Sequence, residues 1–544
     1  MTAEAAAERS DLAWGSFTDH GPWLADPAAM TWRAGIDALR EEAAARVPEL
    51  VRARRVPPAG SAVVLARLGG ASTRWLVKQR FRVRKPGATD ALALYLRPAF
   101  ERLGATFIKL GQLIASGEGM VPAAWVEEFR ACHDRVPPET FDHVRSVIEE
   151  ELGRPLDSIF SAFDPTPIAA ASIAQVHAAT LLTGEPVVVK VQRPGIDAVV
   201  ARDLATLAWL APVAERRNPD AKAANLPAYI ELFADTIVEE LDFRLEAQNM
   251  LDVAHVLATV EPRTVVVPRP HPELVTRRVL VMERLTGHQL DDEQSLADAG
   301  IDPAPVFRSL MISFLEGAMI HGVFHGDLHA GNMVLEGSGR PAIYDFGITG
   351  RLGEKKRRAL LGLMFSNTTQ DGRALLRSFR DLGGFPPDAD IEQLAVQLRI
   401  DEVMGLSARA MSSEALALQM RDTMREIVAG GAKIPKELFL FIKGLVYLTG
   451  AVARVAADVD MGTEMAHLAS FFAQNYTQLV RDAELDAEVM QDSEHVKNRI
   501  RDQLGMGDDE SMTFRDIRSK QLQQQEDLRR VMKEQKKLNK RRRR

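Results

Sequence analysis

The stretch HGDLHAGN, residues 325–332, places two histidines, Asp327 and Asn332 within eight positions. Apolar segments flank it, FLEGAMIHGVF before and MVL after, and they read as short buried strands. A second acidic motif, DFG at 345–347, follows soon afterwards. The pattern indicates a polar functional loop held between two strands, with a second aspartate close to it.

Two upstream elements extend this pattern. Lys190 ends the β-branched run VVVK, and a helix further along the chain carries acids that can pair with it. In kinase-type phosphoryl transfer a lysine holds the α- and β-phosphates and an acid fixes that lysine. An aspartate orients the hydroxyl or water, and an asparagine and a second aspartate hold Mg²⁺. We therefore predict Asp327 and Lys190 as catalytic residues, and Asn332 and Asp345 as metal ligands.

Each of these elements is weak evidence alone, since DFG arises often by chance and an Asp-x4-Asn pair is more often a capped turn. Their order and spacing together favour a nucleotide–Mg²⁺ site. Residues three or four apart share a helix face, so in EELDFRLEAQN the side chains of Asp242, Glu246 and Asn249 face one way and Glu240 points elsewhere. We predict that Glu246 pairs with Lys190.

Composition is that of an ordinary soluble globular protein, with 46% hydrophobic and 26% charged residues among 544. Cys132 is the single cysteine, which excludes an intrachain disulfide and favours a reducing compartment. The start of the chain lacks the basic and apolar regions of a signal peptide. The most apolar stretch, residues 437–455, contains Lys443 and reads as a buried helix rather than a membrane span. We expect a cytoplasmic protein that contacts the inner face of a membrane at most peripherally.

The net charge of −7 conceals a basic tail from Arg518 that ends in four arginines. Such a tail could bind anionic lipid through its charge. A solvated, fraying helix is the simpler interpretation. No specific nucleic acid is expected as a partner.

The order of predicted elements sets the fold class. Residues 167–195 read as two strands joined by the turn TGEP, and TVVVP and RVLVMERL, residues 264–268 and 278–285, read as short strands. VPPETFDHVRSVIEEELG and YIELFADTIVEELDFRLEAQNMLDV read as helices, and everything beyond Gly350 looks helical. We predict an α+β, two-lobed protein-kinase-like fold with an N-terminal helical extension and a mostly helical C-lobe. The expected boundaries are a variable region 1–85, a helical extension 86–153, an N-lobe 154–286, a C-lobe 287–480 and a tail 481–544.

From about Ala91 to Asp460 the chain resembles the UbiB/AarF family of atypical kinase-like proteins. The motifs that carry the resemblance are KLGQ (109–112), DRVPP (134–138), PIAAASIAQVH (167–177), VVVKVQRPG (187–195), EELDFRLEAQN (239–249), HGDLHAGN and DFG. The resemblance implies ATP and Mg²⁺ as cofactors. It also implies a small-molecule or lipid kinase, or an ATPase, that supports isoprenoid-quinone or other lipid metabolism beside other enzymes of such a pathway.

The phosphate loop of this family corresponds here to AAAS, residues 169–172, where a protein kinase has glycines. Alanine keeps the backbone N–H groups, but its Cβ limits close approach and disfavours positive φ. The nucleotide is therefore expected to sit differently from its position in a protein kinase. The residues expected to contact the cofactor are Ala169, Ala170, Ala171, Ser172, Lys190, Glu246 and Glu283.

Lys109 and Gln112 of KLGQ share a helix face, and Gly111 allows another surface to approach closely. The resemblance implies that this helix folds over the active site in a regulatory role, with Lys109 meeting Glu240 and Asp242. The family pattern continues with a serine and an arginine six and eight residues after the lysine. Here Ala115 and Gly117 occupy those positions, with Ser116 and Glu118 nearby.

Two other functions fit parts of the pattern. An aminoglycoside/choline-kinase-type phosphotransferase also uses an HGD…N loop, but it needs neither KLGQ nor AAAS. A non-catalytic, ATP-sensing scaffold would retain the same metal site. DFG runs almost directly into an amphipathic helix without an activation segment, which argues against ordinary protein substrates.

Overall fold

The structure, a computed structural model, describes residues 10–517 and Ser519 with internal gaps. The gaps are 53–55, 57–59, 82–89, 117–122, 133–135, 218–224, 260–263, 291, 338, 370, 399, 401–434, 483–486, 505 and 508–510. The expected basic tail lies almost wholly outside the described residues, and so do Gly117 and Glu118.

An antiparallel sheet forms the first half of the kinase-like part. Its strands are β1 Phe160–Phe163, β2 Ala169–Ala170, β3 Ala174–Leu181, β4 Pro186–Gln192, β5 Pro270–Val275 and β6 Val279–Glu283. They are ordered β1-β3-β4-β6-β5, and β2 pairs with β3. The two predicted strands around TGEP are confirmed as β3 and β4, and β4 continues two residues past Lys190.

Helices surround this sheet and make up most of the second half. In chain order they are α1 Ser10–Trp14, α2 Ile36–Leu50, α3 Ala62–Phe81, α4 Asp90–Leu103, α5 Ala105–Ala115, α6 Ala123–Phe129, α7 Phe141–Leu152, α8 Ile196–Arg217, α9 Leu226–Ile237, α10 Phe243–Ala258, α11 Glu293–Asp298, α12 Pro303–Glu316, α13 Glu354–Thr369, α14 Gly372–Leu382, α15 Ile391–Gln397, α16 Lys436–Val455, α17 Met461–Asn475, α18 Thr477–Asp482, α19 Ala487–Gln491 and α20 Ser493–Leu504.

Short strands interrupt the helical half where the two polar motifs lie. They are β7 His288–Gln289, β8 Val323–His325, β9 Met333–Leu335, β10 Pro341–Ile343 and β11 Thr349–Arg351. HGDLHAGN connects β8 to β9, and DFG connects β10 to β11. Because β11 pairs with β8 and β10 pairs with β9, the two motifs lie side by side. The predicted α+β two-lobed class is confirmed.

The period of two along β4 decides where Lys190 points. Val187, Val189 and Val191 pack with α7 in a core beneath the sheet. Lys190 lies on the opposite face, because successive side chains of a strand alternate. On β6, Leu280 and Met282 belong to the large core on that same face. Lys190 therefore projects toward α10 and the second half of the molecule.

One predicted strand is wrong. In TVVVP, Val266 and Val267 form only isolated bridges, and these go to two different partners, Ala342 and Phe17. Two single bridges to separate segments do not make a ladder. The strand that pairs with β6 begins two residues after this segment, at Pro270.

The long predicted helix through YIELF and EELDF is broken. α9 ends at Ile237, a 3-10 turn covers Glu239–Leu241, and α10 starts after Asp242. Asp242 caps α10, because its carboxylate accepts a bond from the backbone N–H of Arg244 at 3.1 Å. Glu240 thus lies on a separate turn, and the helix-face comparison made from the sequence does not apply to it.

Among the described helices, none combines the length and apolarity that a membrane crossing requires. The apolar stretch that contains Lys443 forms α16, which is packed against α12 and β8 through Phe314, Phe324 and Phe441. The expectation of a buried helix there is confirmed.

Candidate active site

The imidazole of His325 joins the two polar motifs. Its Nδ1 accepts a bond from the backbone N–H of Asp327 at 3.0 Å, and its Nε2 donates to the backbone carbonyl of Asp345 at 2.9 Å. This pairing uses the neutral ring, with its proton on Nε2. Burial lowers the pKa of His325 to about 4, so the ring stays neutral at physiological pH. The motif histidine fixes the relative position of the two aspartates.

Asp345 has a left-handed backbone, with φ +64°. Such a conformation is costly for a residue with a side chain and is found where the surroundings enforce it, often at functional sites. Here His325 holds the Asp345 carbonyl, and the Asn249 side chain donates to the carbonyl of buried Phe346 at 3.0 Å. The side chain of Asp345 is 48% exposed to solvent, so its carboxylate is accessible to a ligand.

Lys190 makes the predicted ion pair with Glu246, at 2.7 Å between Nζ and Oε1. The same ammonium lies 2.9 Å from Oδ1 of Asp345. Burial alone would lower the pKa of Lys190, but Asp345 and Glu246 raise it above its ordinary value. Burial raises the pKa of Glu246 to about 7, against the opposing effect of Lys190. Lys190 is therefore a fixed charge between α10 and DFG.

Burial also acts on Asp345, but the ammonium groups of Lys190 and Lys109 outweigh it and hold the pKa of this carboxyl well below its usual range. Asn332 donates from its side-chain amide to the backbone carbonyl of Asp327 at 3.0 Å. That bond uses the amide nitrogen, so the amide oxygen is the atom that could bind a metal ion. A carboxylate and an amide oxygen suit Mg²⁺, which binds few protein groups when phosphates supply the rest. Within the described residues no cluster of three or more His, Cys, Asp or Glu forms a closed metal site.

Lys109, on α5, lies 2.9 Å from Oε1 of Glu240. Burial works against the charge of Lys109, but Glu240, Asp327 and Asp345 together raise its pKa. Helix α5 thus brings a second positive charge, beside Lys190, to the two motif aspartates. Gly111 instead lets the end of α6 approach α5 closely, because a Cβ there would lie 2.8 Å from Sγ of Cys132 and 3.0 Å from the Phe129 ring.

The second acid expected to meet Lys109 lies elsewhere, which corrects the prediction. Asp242 caps α10 and binds the Arg244 side chain, at 2.7 Å from Oδ2. Gln112 is half-buried on α5, and the contacts of the described residues include no side-chain bond from it to this site. Ser116, which follows α5, bonds the hydroxyl of Tyr447 on α16.

The alanine segment is more closed than expected. Ala169 and Ala170 form strand β2, and the N–H of Ala171 donates to the Ala174 carbonyl at 2.9 Å. Ser172 is buried. The N–H of Ala171 is therefore committed to the turn, and phosphate binding by this segment stays a prediction.

The side chain of Glu283 is bound by Thr18 and Arg269, and its expected contact with the cofactor stays a prediction. Its Oε1 accepts a bond from the Thr18 hydroxyl, and its Oε2 accepts from the backbone N–H of Arg269 at 3.1 Å. Arg269 is fully buried and pairs also with Asp11 at 2.8 Å. Glu283 therefore holds the N-terminal segment directly through Thr18 and indirectly through Arg269, which binds Asp11.

Sequence reasoning missed Lys443, whose Nζ lies 2.9 Å from Oδ1 of Asp327. The signal was a single lysine within the most apolar stretch of the chain. That lysine, Lys109 and His329 outweigh burial and lower the pKa of Asp327. The site thus combines three lysines from α5, β4 and α16 with four carboxylates, Glu240, Glu246, Asp327 and Asp345.

Comparisons with known proteins show which family the chain resembles. The ABC1 atypical kinase-like domain matches residues 131–379. An uncharacterised protein of Mycobacterium tuberculosis is 34% identical over 451 residues, which cover 81% of this chain and 90% of that protein. A chloroplastic, uncharacterised aarF domain-containing protein kinase of Arabidopsis thaliana is 34% identical over 392 residues, which cover 68% of this chain and 73% of that protein. A probable protein kinase UbiB of Pseudomonas putida is 31% identical over 80% of both chains.

Proposed function

This chain belongs to the ABC1 atypical kinase-like family, and we propose that it binds ATP with Mg²⁺ and transfers or hydrolyses the terminal phosphoryl group. The observation that carries the proposal is the position of Lys190, whose ammonium lies between Glu246 and Asp345. Phosphoryl transfer depends mainly on positioning and on charge that opposes the phosphates. A lysine held by a buried acid beside an accessible aspartate supplies both.

In this proposal the ammonium of Lys190 leaves Asp345 and binds the α- and β-phosphates when the nucleotide arrives. Its ion pair with Glu246 keeps the lysine in place. Asp345 and Asn332 would hold Mg²⁺, which would neutralise charge on the phosphate oxygens. Asp327 orients the hydroxyl of an acceptor or a water. His325 holds Asp327 and Asp345 in a fixed relative position, because its ring hydrogen-bonds to the backbone of both residues.

We propose that the acceptor is small or a lipid rather than a protein. Helix α5 places Lys109 at Glu240, next to both motif aspartates. α13 begins at Glu354, shortly after DFG, and β11 in between pairs with β8. These features leave little surface for a peptide beside DFG. The similarity to UbiB and aarF-named proteins supports a role in isoprenoid-quinone or other lipid metabolism, at the inner face of a membrane that the basic tail contacts.

Phosphate release by the purified chain tests the proposal. We expect slow Mg²⁺-dependent release from ATP that rises when anionic vesicles or a phenolic quinone precursor are added. Lys190→Met should abolish it, and Lys436→Met, which removes a lysine bound to Glu239 instead, should not. A wild-type protein that binds ATP but neither releases nor transfers phosphate under any of these conditions would favour a scaffold instead.

A further inference from the structure

Lys443 is a charged residue in the middle of an apolar helix, and only 7% of its side chain is exposed. Burying an ammonium is costly unless a partner of opposite charge compensates for it. Its partner is Asp327, at 2.9 Å. The ammonium also lies 5.5 Å from the centre of the Tyr447 ring, one turn further along α16.

The packing of α16 explains how the lysine reaches this partner. Its neighbour Gly444 faces Phe314 and the backbone of β8. A Cβ on Gly444 would lie 2.8 Å from the Phe314 ring and 3.7 Å from the carbonyl oxygen of His325. Any side chain there would push α16 away from the HGDLHAGN loop. Gly444 therefore lets α16 come close enough for Lys443 to reach Asp327.

The two oxygens of Asp327 are not equivalent. Oδ1 is buried against Lys443, whereas 17% of the side chain as a whole is exposed to solvent. Neither oxygen has a regular hydrogen bond among the described residues, but Oδ1 is buried and paired with Lys443, whereas Oδ2 is not buried. Only one oxygen is therefore open to a reactant.

We propose that Lys443 is a positioning residue, which holds Oδ1 of Asp327 so that Oδ2 faces the hydroxyl or water that attacks the phosphoryl group. This inference rests on the proposed function and adds a residue to its machinery. Lys443 lies beyond residues 131–379, so α16 completes the site from outside the part matched by the family domain. The orientation of the carboxylate then depends on a helix more than a hundred positions away in the chain.

A double-mutant cycle in the full-length protein tests this role. The variants are Lys443→Met, Asp327→Asn and the double substitution, each measured for phosphate release at saturating ATP and for thermal stabilisation by ATP·Mg²⁺. Lys443→Met should lower kcat on the order of 10–100-fold, as loss of a supporting residue around a site commonly does. Stabilisation by ATP·Mg²⁺ should be unchanged, because Lys443 contacts Asp327 and not the groups assigned to the nucleotide.

The double variant should be no slower than Asp327→Asn, since Lys443 acts only through that carboxylate. The double variant leaves neither charge buried without its partner, so it keeps the comparison valid if either single variant folds poorly. Lys443→Arg should recover part of the lost kcat, and Lys436→Met on the same helix should match the wild type.

Additive losses in the double variant, or an unchanged kcat in Lys443→Met, would overturn the inference while leaving the proposed function intact. A wild-type protein without ATP turnover would overturn both.

Discussion

Lys109 Nζ lies 2.9 Å from the carboxylate of Glu240, and this ion pair fastens α5 to the turn in front of α10. Burial raises the pKa of Glu240, and the lysine opposes that rise. The same lysine acts on Asp327 and Asp345 through its charge. The helix that carries KLGQ is thus fixed next to the two motif aspartates.

Removing this lysine should loosen the helix. Lys109→Met leaves Glu240 buried without its partner, so we expect the free energy of unfolding to fall by about 3–5 kcal/mol. The opened site should also show self-phosphorylation that the wild type lacks. Urea titration and incorporation of labelled phosphate measure the two effects.

Lys109→Met combined with Glu240→Gln should recover most of the stability, because no unpaired charge remains. Glu239→Gln on the same 3-10 turn is the control, since Glu239 pairs with Lys436. Undiminished stability in Lys109→Met would contradict the role of the pair, as would ready phosphorylation of a generic protein by the wild type.

A histidine away from the site should make stability depend on pH. Nδ1 of His271 accepts bonds from the backbone N–H groups of Glu273 and Leu274, both at 3.1 Å. Burial lowers the pKa of His271 to about 4, whereas the unfolded chain has the ordinary value of about 6.5. Below that higher value the unfolded state binds a proton first, so stability falls as pH decreases from about 6.5 to about 4.

When the pH is lowered from about 7 to about 5, the Tm of His271→Asn should therefore fall by less than the Tm of the wild type. The difference corresponds to ~1 kcal/mol, since the ring is partly exposed to solvent. His20→Asn, a change at an exposed histidine, is the control. Identical slopes for His271→Asn and the wild type would show that His271 contributes nothing to the acid sensitivity.

The basic tail should bind anionic membranes. Each arginine near a negatively charged leaflet gains about 1 kcal/mol, and salt screens the gain. A chain that ends at Ile517 should sediment less with phosphatidylserine vesicles at low salt than the full chain, with unchanged ATP·Mg²⁺ stabilisation. Equal sedimentation of the two forms would place any membrane contact elsewhere.

Local spacing in the sequence was sufficient for part of the site. Glu246 was found because it lies within one regular helix, where residues three and four apart share a face. The strands around Lys190 and the two polar motifs were also visible, since period-two alternation and turn residues are local signals.

Contacts between distant parts of the chain were not predictable in this way. The helix predicted through this segment is interrupted because Asp242 caps α10. As a result Glu240 lies on a separate turn, where it pairs with Lys109, and Asp242 pairs with Arg244. Glu283 is bound by Thr18, 265 positions earlier. Lys443 meets Asp327 because α16 packs closely on β8, which helical periodicity alone does not reveal.

The most direct measurement is a thermal-shift titration of the wild type and Asp345→Asn with ATP and Mg²⁺. The wild type should gain about 2.7 kcal/mol at an ATP·Mg²⁺ concentration 100 times Kd. Asp345→Asn should fold but lose most of this Mg²⁺-dependent gain, while Asp388→Asn, a change at an exposed aspartate, should keep it. An Asp345→Asn protein stabilised as fully as the wild type would contradict the assignment of this site to Mg²⁺ and nucleotide.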